Sequence, residues 1–192
     1  MRTLPRRWFE RDADVVAPLL LNKVLMSRGV DGAVVAGRIV EVEAYAQDDP
    51  ASHSYGRRTP RNAVMYGPAG CLYVYLSYGI HRCVNVVTAA DGVGAAVLIR
   101  AVEPVDGIDV MRVRRGAVKD VDLADGPGKI GQAFAIGLDD YGLDLTDASS
   151  RVRILDDGTP PPAAPLVGPR IGLTKAVETP WRFRVPPGLR TS

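Results

Sequence analysis

The sequence has few cysteines and no long apolar run. Cys71 and Cys83 are the only cysteines, and their separation does not match the paired spacing of a zinc site, which predicts free thiols and no metal centre. No segment has the length of a membrane span, and residues 1–11 lack the apolar stretch of a signal peptide. These absences argue against a disulfide-stapled secreted domain and a membrane protein, and they favour a soluble intracellular protein.

The sequence also has little net charge and little lysine. Its 24 lysines and arginines against 22 acidic residues leave a net charge of +2, which permits a polyanionic partner without requiring one. Arginine supplies nearly all of the positive charge, and its planar guanidinium suits bidentate contacts with phosphate. A genomic base composition that favours arginine explains the same excess, so composition alone does not predict a nucleic-acid partner.

The remaining composition is typical of one globular domain. The 192 residues are 46% hydrophobic, which is enough to bury an apolar interior. Alternating apolar and polar residues predict strands joined by glycine-containing turns, and shorter stretches of helical periodicity predict a few helices. We therefore expect an α+β fold, a single domain over residues 1–192 with a mainly antiparallel sheet. The ends, at about 1–10 and 186–192, are expected to be flexible.

The stretch RIVEVEAYAQDDPASHS begins as a strand and ends as a polar loop. Strand alternation places Glu41, Glu43 and Tyr45 on one face together with Ile39, because successive side chains point to opposite sides. His53 follows in the loop. A solvated acidic strand face is the simpler interpretation of this pattern. The alternatives are a site that uses a carboxylate and a histidine for acid–base chemistry, and a site for a hard divalent cation.

The stretch YVYLSYG carries three tyrosines on a predicted strand that ends in a hairpin turn. Alternation puts Tyr73, Tyr75 and Ser77 on one face, and it puts Tyr78 beside Gly79 at the hairpin tip. Ordinary packing explains Tyr73 well. It explains Tyr78 less well, because a tyrosine at a hairpin tip is exposed unless it meets a partner.

Arg100 ends the apolar stretch AAVLIR, which predicts a buried strand. An arginine at the end of a buried strand normally needs a carboxylate partner. Glu41, Glu43 and Glu103 are the candidate partners. A structural ion pair and a functional one are equally compatible with this pattern.

Seven motifs follow one another along nearly the whole chain, from about Asp14 to Val185. They are GRIVEVEAY, the pair His53-Ser54, RRTPRN, MYGPAGCLYVYLSYGIHRCVNVV, VLIRAVEP, GPGKIGQAFAI, and PRIG followed by PWRF. In this order they resemble the 3-methyladenine DNA glycosylase family, of the alkyladenine type found in mammals and many bacteria. The number and order of the motifs make the resemblance specific. No single motif would be sufficient alone.

The resemblance implies a single domain with a curved, mainly antiparallel sheet, flanking helices and a protruding β-hairpin that enters the minor groove of DNA. It implies an enzyme that hydrolyses the N-glycosidic bond of a damaged purine in double-stranded DNA and leaves an abasic site. No metal and no organic cofactor are expected. The protein would act as a monomer in the cytoplasm or on the nucleoid, without a membrane partner.

The resemblance also assigns roles in the reaction. Glu43 corresponds to the general base that deprotonates the attacking water, and Arg100 corresponds to the residue that helps to hold that water and the carboxylate. The main-chain carbonyl of Ile171 corresponds to a further acceptor for the water. Tyr78 corresponds to the wedge that fills the gap left by the flipped nucleotide.

Four residues correspond to the pocket for the flipped base. Tyr45, His53 and Tyr75 match the residues that hold the base, and their electron-rich rings suit a cationic alkylated purine through cation–π attraction. Asn85 matches the residue that borders the pocket and rejects guanine through its exocyclic amino group. The resemblance therefore explains why Glu43 and Tyr45 share one strand face.

Two basic groups are expected to contact the DNA backbone, because both should border the pocket. We also expect at least one of these side chains to be paired internally. The groups are Arg57, Arg58 and Arg61 in the polar loop, and Arg170, Lys175, Arg182 and Arg184 near the C-terminus.

Two other functions stay open on the residues alone. A metal-dependent nuclease would use Glu41, Glu43 and His53 as ligands, and a chelator would abolish its activity. A damage-binding module without catalysis would share the hairpin and the arginines, but replacing Glu43 would change nothing beyond binding.

Overall fold

One antiparallel sheet of nine strands organises the part of the chain that the structure describes, residues 1–116 and 119–189. The structure is a computed structural model. The strands are β1 (Arg2–Thr3), β2 (Val24–Arg28), β3 (Val34–Tyr45), β4 (Leu72–Ser77), β5 (His81–Val87), β6 (Ala96–Asp106), β7 (Val152–Asp156), β8 (Leu166–Gly168) and β9 (Arg182–Arg184). Their order is β1-β7-β2-β3-β6-β5-β4, and β9 pairs with both β3 and β8.

Short helices flank this sheet. They are α1 (Arg6–Phe9), α2 (Ala13–Leu20), α3 (Ile108–Arg115) and α4 (Pro127–Ala133), and four 3-10 turns cover Ala63–Tyr66, Asp120–Asp122, Leu138–Asp140 and Pro187–Leu189. The predicted α+β fold with a curved, mainly antiparallel sheet is confirmed. No described helix has both the length and the apolar character needed to cross a membrane.

The helix α2 shows how the sequence pattern sets the packing. It buries Ala13, Val16, Ala17 and Leu20, which follow the three- and four-residue spacing of one helix face. Val15 lies on the other face and is exposed. The apolar face of the helix therefore packs on the sheet and contributes to the main core.

The strand β3 is the centre of the sheet, and it differs from the simple alternation expected for it. Register shifts on either side of Glu41 against β6 mark a bulge, so Ile39 and Val40 both join the main core. The expected position of Ile39 on the polar face is therefore wrong. Beyond the bulge, β9 replaces β2 at the other edge of β3 and pairs Glu43 with Arg182.

The strands β4 and β5 form the predicted hairpin, with Ser77 opposite His81. Three residues separate these paired positions; φ is positive at Tyr78 (50°) and Gly79 (73°), and the N–H of Ile80 donates to the Ser77 carbonyl at 3.2 Å, which closes a tight turn. The Tyr78 side chain at the tip is 88% exposed, and Ile80 beside it is 69% exposed. The hairpin thus presents two apolar side chains to solvent.

The N-terminal end differs from the expected flexible segment at residues 1–10. β1 pairs with β7, and Leu4 and Phe9 are buried in the main core, so apolar side chains tie this end to the domain. At the other end, the described chain closes with the 3-10 turn at 187–189. Residues 190–192 of the expected C-terminal end lie outside the described residues.

Candidate active site

A cavity of about 420 Å³ opens beside the β4–β5 hairpin. Its walls come from β3, β4, β5 and β6, from the polar loop and from residues 171–173, so side chains distant in sequence meet there. Small-molecule pockets occupy about 300–1,000 Å³, and the cavity lies within that range. The polar and aromatic side chains in its lining are Tyr45, His53, Arg61, Tyr73, Tyr75, Ser77, Tyr78, Cys83, Asn85 and Arg100.

The Glu43 carboxylate is fully buried at the side of this cavity. Its Oε2 accepts hydrogen bonds from the Tyr45 hydroxyl at 2.8 Å and from Nη1 of Arg100 at 3.2 Å, and its Oε1 accepts one from the main-chain N–H of Ile171 at 2.8 Å. Burying a charge is costly unless it is paired and hydrogen-bonded. These three contacts explain how the fold retains a carboxylate in its interior.

All three donors to Glu43 line the cavity, but Glu43 itself does not. A carboxylate has about four acceptor positions, so three donors leave one free for a further donor such as water. A water molecule from the cavity would have to pass between Tyr45, Arg100 and Ile171 to reach it. Hydrogen bonds around a reacting group often rearrange when substrate binds, so the closed arrangement is compatible with a role in catalysis.

Arg100 and Glu41 belong to a second layer of contacts. The Nε of Arg100 lies 3.3 Å from Oε1 of Glu41, and the same oxygen accepts a hydrogen bond from Nη1 of Arg182 at 3.3 Å. Arg100 thus pairs with two of its three candidate partners, and Glu103 forms no ion pair with it. Glu41 was expected as a possible partner of Arg100, but its link to Arg182 was not, because that link depends on the pairing of β3 with β9.

Aromatic rings form one wall of the cavity. The Nδ1 of His53 lies 2.9 Å from the Tyr73 hydroxyl, and the His53 and Tyr75 rings meet nearly at right angles with their centroids 4.5 Å apart. The centroids of the Tyr73 and Tyr75 rings are 5.5 Å apart. Tyr73 was expected to serve only in packing, whereas its hydroxyl holds the orientation of His53. Its place on the Tyr75 strand face was the signal for this role.

The wall is made of uncharged rings. Burial raises the pKa of the Tyr73 and Tyr75 hydroxyls, and burial together with the charge of Glu43 raises the pKa of Tyr45. His53 keeps part of its ring exposed to solvent; partial desolvation at the cavity wall, and then the positive charge of Arg61, lowers its pKa from the usual 6.5. The three tyrosines therefore remain hydroxyl donors at neutral pH, and His53 remains a neutral imidazole.

Asn85 and Ile171 take positions around the same cavity. The amide nitrogen of Asn85 donates to the carbonyls of Tyr73 at 3.0 Å and Cys83 at 3.3 Å, which fixes the orientation of this buried side chain. Ile171 was expected to act through its carbonyl. The contact that the structure gives is a different one, a hydrogen bond from its N–H to Glu43.

The basic residues expected at the DNA backbone fall into two groups. Within residues 1–116 and 119–189, no carboxylate pairs with Arg57, Arg58, Arg61, Lys175 or Arg184. Arg58 and Arg61 lie over aromatic rings, at 6.0 Å from the centroid of Tyr66 and 5.7 Å from that of Tyr75. Arg182 differs from the expectation, because its guanidinium is turned inward to Glu41.

Arg170 also differs from the DNA-facing position expected for it. Its side chain is fully buried and forms an ion pair with Asp49 at the start of the polar loop. The sequence pattern gave no sign of this pair, because the two residues are 121 positions apart.

The three side chains of the metal alternative are held by other partners. His53 contacts Tyr73 and Tyr75, whereas Glu41 and Glu43 both pair with Arg100. Across the described residues, no three side chains of histidine, cysteine, aspartate or glutamate form a group that could hold a metal ion. Cys71 and Cys83 are both buried free thiols.

Comparison with known proteins gives matches along nearly the whole chain. The family model described as "Methylpurine-DNA glycosylase (MPG)" matches residues 7–187. The chain is 51% identical over 185 residues to a Burkholderia lata protein, which covers 95% of this chain and 87% of the relative. It is 50% identical over 184 residues to a Methanoculleus marisnigri protein, which covers 94% of each. Both relatives carry the name "Putative 3-methyladenine DNA glycosylase".

Proposed function

This chain belongs to the methylpurine-DNA glycosylase family, hydrolases that act on N-glycosyl bonds, and we propose that it releases damaged purines flipped out of duplex DNA. The observation that carries this proposal is the buried Glu43 carboxylate, whose three donors all border the aromatic cavity. A buried carboxylate beside a pocket large enough for a base is suited to activate water for hydrolysis of the bond that joins the base to its sugar. The product would be an abasic site in an otherwise intact duplex.

The first step is extrusion of the damaged nucleotide. Its C1′ atom is inaccessible inside a duplex, so the nucleotide must leave the stack at a cost of a few kcal/mol. Tyr78 is 88% exposed at the hairpin tip and also borders the cavity. Inserted into the duplex, this ring would fill the space that the flipped nucleotide leaves and so favour the extruded state.

The extruded base would then be held among Tyr45, His53 and Tyr75. Their rings are uncharged and electron-rich, which favours stacking with a purine and, above all, with a cationic alkylated purine. Asn85, fixed by its bonds to the main chain, would border the edge of the base and exclude guanine by contact with its amino group. These contacts would define a pocket for alkylated purines, with deaminated and etheno purines as further substrates.

Hydrolysis would follow with a water activated by Glu43. The oxygen of the water forms a bond to C1′ while the bond from C1′ to the purine nitrogen breaks, and the base leaves with that electron pair. Glu43 accepts the proton of the water. Its negative charge also stabilises the positive charge that develops on the sugar. Arg100 positions the carboxylate, and the main-chain carbonyl of Ile171 would accept a hydrogen bond from the water.

The proposed partner is double-stranded DNA that contains a damaged purine. The exposed side chains of Arg57, Arg58, Arg61 and Lys175, and the half-buried Arg184, would contact phosphates. One chain supplies every residue of the proposed pocket, so we propose that the protein acts as a monomer.

An assay on defined duplexes tests this function. Each duplex carries one 3-methyladenine, hypoxanthine or ethenoadenine, and it is incubated with the protein, with and without a chelator, and then treated with alkali. The proposal expects strand breaks at the lesion only after alkali. Breaks before alkali that the chelator abolishes would identify a metal-dependent nuclease. Binding of the lesion duplex without any release of base would identify a damage-binding module.

A further inference from the structure

A buried ion pair lies behind one wall of the proposed base pocket. The side chains of Arg170 and Asp49 are 0% and 3% exposed. Both terminal nitrogens of the guanidinium contact the carboxylate, with Nη2 at 3.0 Å from Oδ1 and Nη1 in contact with Oδ2. The proposed hydrolysis uses neither residue, so it does not explain why this pair lies beside the pocket.

The guanidinium of Arg170 lies against the ring of Tyr45. Its central carbon is 4.7 Å from the centroid of Tyr45 and 5.5 Å from that of Trp181, and its Nη1 donates to the carbonyl of Ala44 at 2.9 Å. Tyr45 lines the cavity, whereas neither Arg170 nor Asp49 does. The ring therefore stands between the ion pair and the space proposed for the base.

A cation over one face of an aromatic ring affects what the other face can bind. The face of the ring is the negative part of its quadrupole, and a second cation across the ring meets the repulsion of the first. A neutral base does not feel this repulsion. The carboxylate of Asp49 cancels most of the charge of Arg170 at short range, which leaves the face of Tyr45 toward the cavity attractive to a cation.

We infer that Arg170 and Asp49 form a specificity-determining pair, which sets how well Tyr45 accepts a cationic base relative to a neutral base. The inference rests on the proposed function, because it concerns the base that the pocket takes. It assigns the pair an electrostatic role in addition to holding the polar loop against residue 170. The chemical class selected by the intact pair is a positively charged alkylated purine.

A purely structural role makes a different prediction. If the pair only held Tyr45 and the polar loop in place, removing it would slow the release of cationic and neutral bases by the same factor. The electrostatic role predicts a change in the ratio of the two rates, and the sign of that change depends on which charge is left behind the ring.

Single-turnover rates for 3-methyladenine, which is cationic and lacks the 2-amino group of guanine, and hypoxanthine, which is neutral, test the inference in identical duplexes. If the wild-type protein does not release one of these bases, the affinity for the duplex that carries it is measured in place of the release rate. Asp49→Asn leaves the arginine charge unbalanced, so the ratio of the rate for the cationic base to the rate for the neutral base should fall by about tenfold. Arg170→Met leaves the carboxylate instead, and the ratio should rise by a similar factor.

The double variant Asp49→Asn with Arg170→Met removes both charges and serves as the matched control. Its ratio should return to within about twofold of the wild type, even if both absolute rates are lower. Thermal unfolding shows which variants fold. The two single variants are expected to shift the ratio of rates in opposite directions, so one folded single variant together with the double variant is sufficient for the test. An unchanged ratio in the folded single variants overturns the inference. A wild-type protein that neither releases nor preferentially binds either lesion would instead overturn the proposed function.

Discussion

The hydroxyl of Tyr45 donates a 2.8 Å hydrogen bond to Oε2 of Glu43, so the ring proposed to stack on the base also holds the carboxylate proposed to activate water. Binding of the base and positioning of the general base are thereby linked through one side chain. The two residues are neighbours on the same face of β3, and burial of Glu43 makes the bond difficult for solvent to replace.

Tyr45→Phe separates these two tasks. The ring remains, so the affinity for a lesion duplex should stay within about twofold of the wild type. The carboxylate loses one of three donors, and a hydrogen bond to a charged group contributes about 1.5–3 kcal/mol, so the single-turnover rate should fall by about tenfold or more. Tyr45→Leu, which also removes the ring, should lose both affinity and rate. If Tyr45→Phe loses affinity as strongly as Tyr45→Leu, the hydroxyl acts on the base instead.

Tyr78→Ala tests the wedge at the hairpin tip. We expect weaker binding of the lesion duplex and less extrusion of the base, since no ring fills the gap in the stack. A fluorescent base analogue at the lesion reports extrusion directly. Val113→Ala is a matched control, because Val113 is 83% exposed on α3, outside the proposed pocket. Equal fluorescence and equal affinity for wild type and Tyr78→Ala would reduce Tyr78 to an ordinary surface residue.

The salt dependence of binding should distinguish the two kinds of basic residue. The logarithm of affinity falls with the logarithm of salt concentration at about −0.9 per phosphate neutralised, so Lys175→Gln and Arg184→Gln should each make the slope shallower by about one. Arg182→Gln should leave the slope unchanged, because that guanidinium pairs with Glu41. Arg2→Gln is the control, since β1 lies at the opposite end of the sheet order from the hairpin strand β4. A slope that only Arg182→Gln alters would contradict the proposed DNA face.

Stability at acid pH should depend on Asp156 and Asp157. Hydrogen bonds from Lys23 and Arg38 lower the pKa of these carboxyls, that of Asp156 to about 2. A carboxyl with a lowered folded-state pKa stabilises the protein above its unfolded pKa of about 3.9, and this contribution is lost as the pH falls toward the folded value. The free energy of unfolding should therefore drop between about pH 4 and pH 2.

Urea unfolding of the double variant Asp156→Asn with Asp157→Asn checks this expectation. The variant should be less stable than the wild type at pH 7, and the difference between the two proteins should shrink toward pH 2. A difference that stays constant over that range would show that the two carboxyls keep the same protonation in the folded and unfolded states.

Much of the fold could be predicted because its signals are local. Alternation and turn residues were sufficient for the β4–β5 hairpin, and the tip position of Tyr78 followed directly. The bulge near Glu41 could not be predicted, because it depends on how β6 and β9 pair with β3. Because of this bulge, Ile39 lies in the core, although simple alternation had placed it on the polar face.

The site shows the same limit. A buried arginine needs a carboxylate, so the partners of Arg100 could be named in advance as a short set. The order of charges along the chain did not show that Arg182 turns to Glu41 or that Arg170 turns to Asp49, because each pair joins residues more than 120 positions apart. The hydrogen bond from the N–H of Ile171 to Glu43 could not be predicted either. Every residue except proline has a main-chain N–H, and only the folded chain determines which acceptor it meets.

The most direct test of the account is Glu43→Gln, measured by single-turnover release of hypoxanthine or ethenoadenine together with binding of the same duplexes. The amide keeps nearly the same shape but cannot accept the proton of water, so the rate should fall by about 10²–10⁴ while affinity stays within about threefold. Glu103→Gln, at the glutamate that forms no ion pair with Arg100, is the matched control and should behave as the wild type. Release by Glu43→Gln at near wild-type rates would contradict the account.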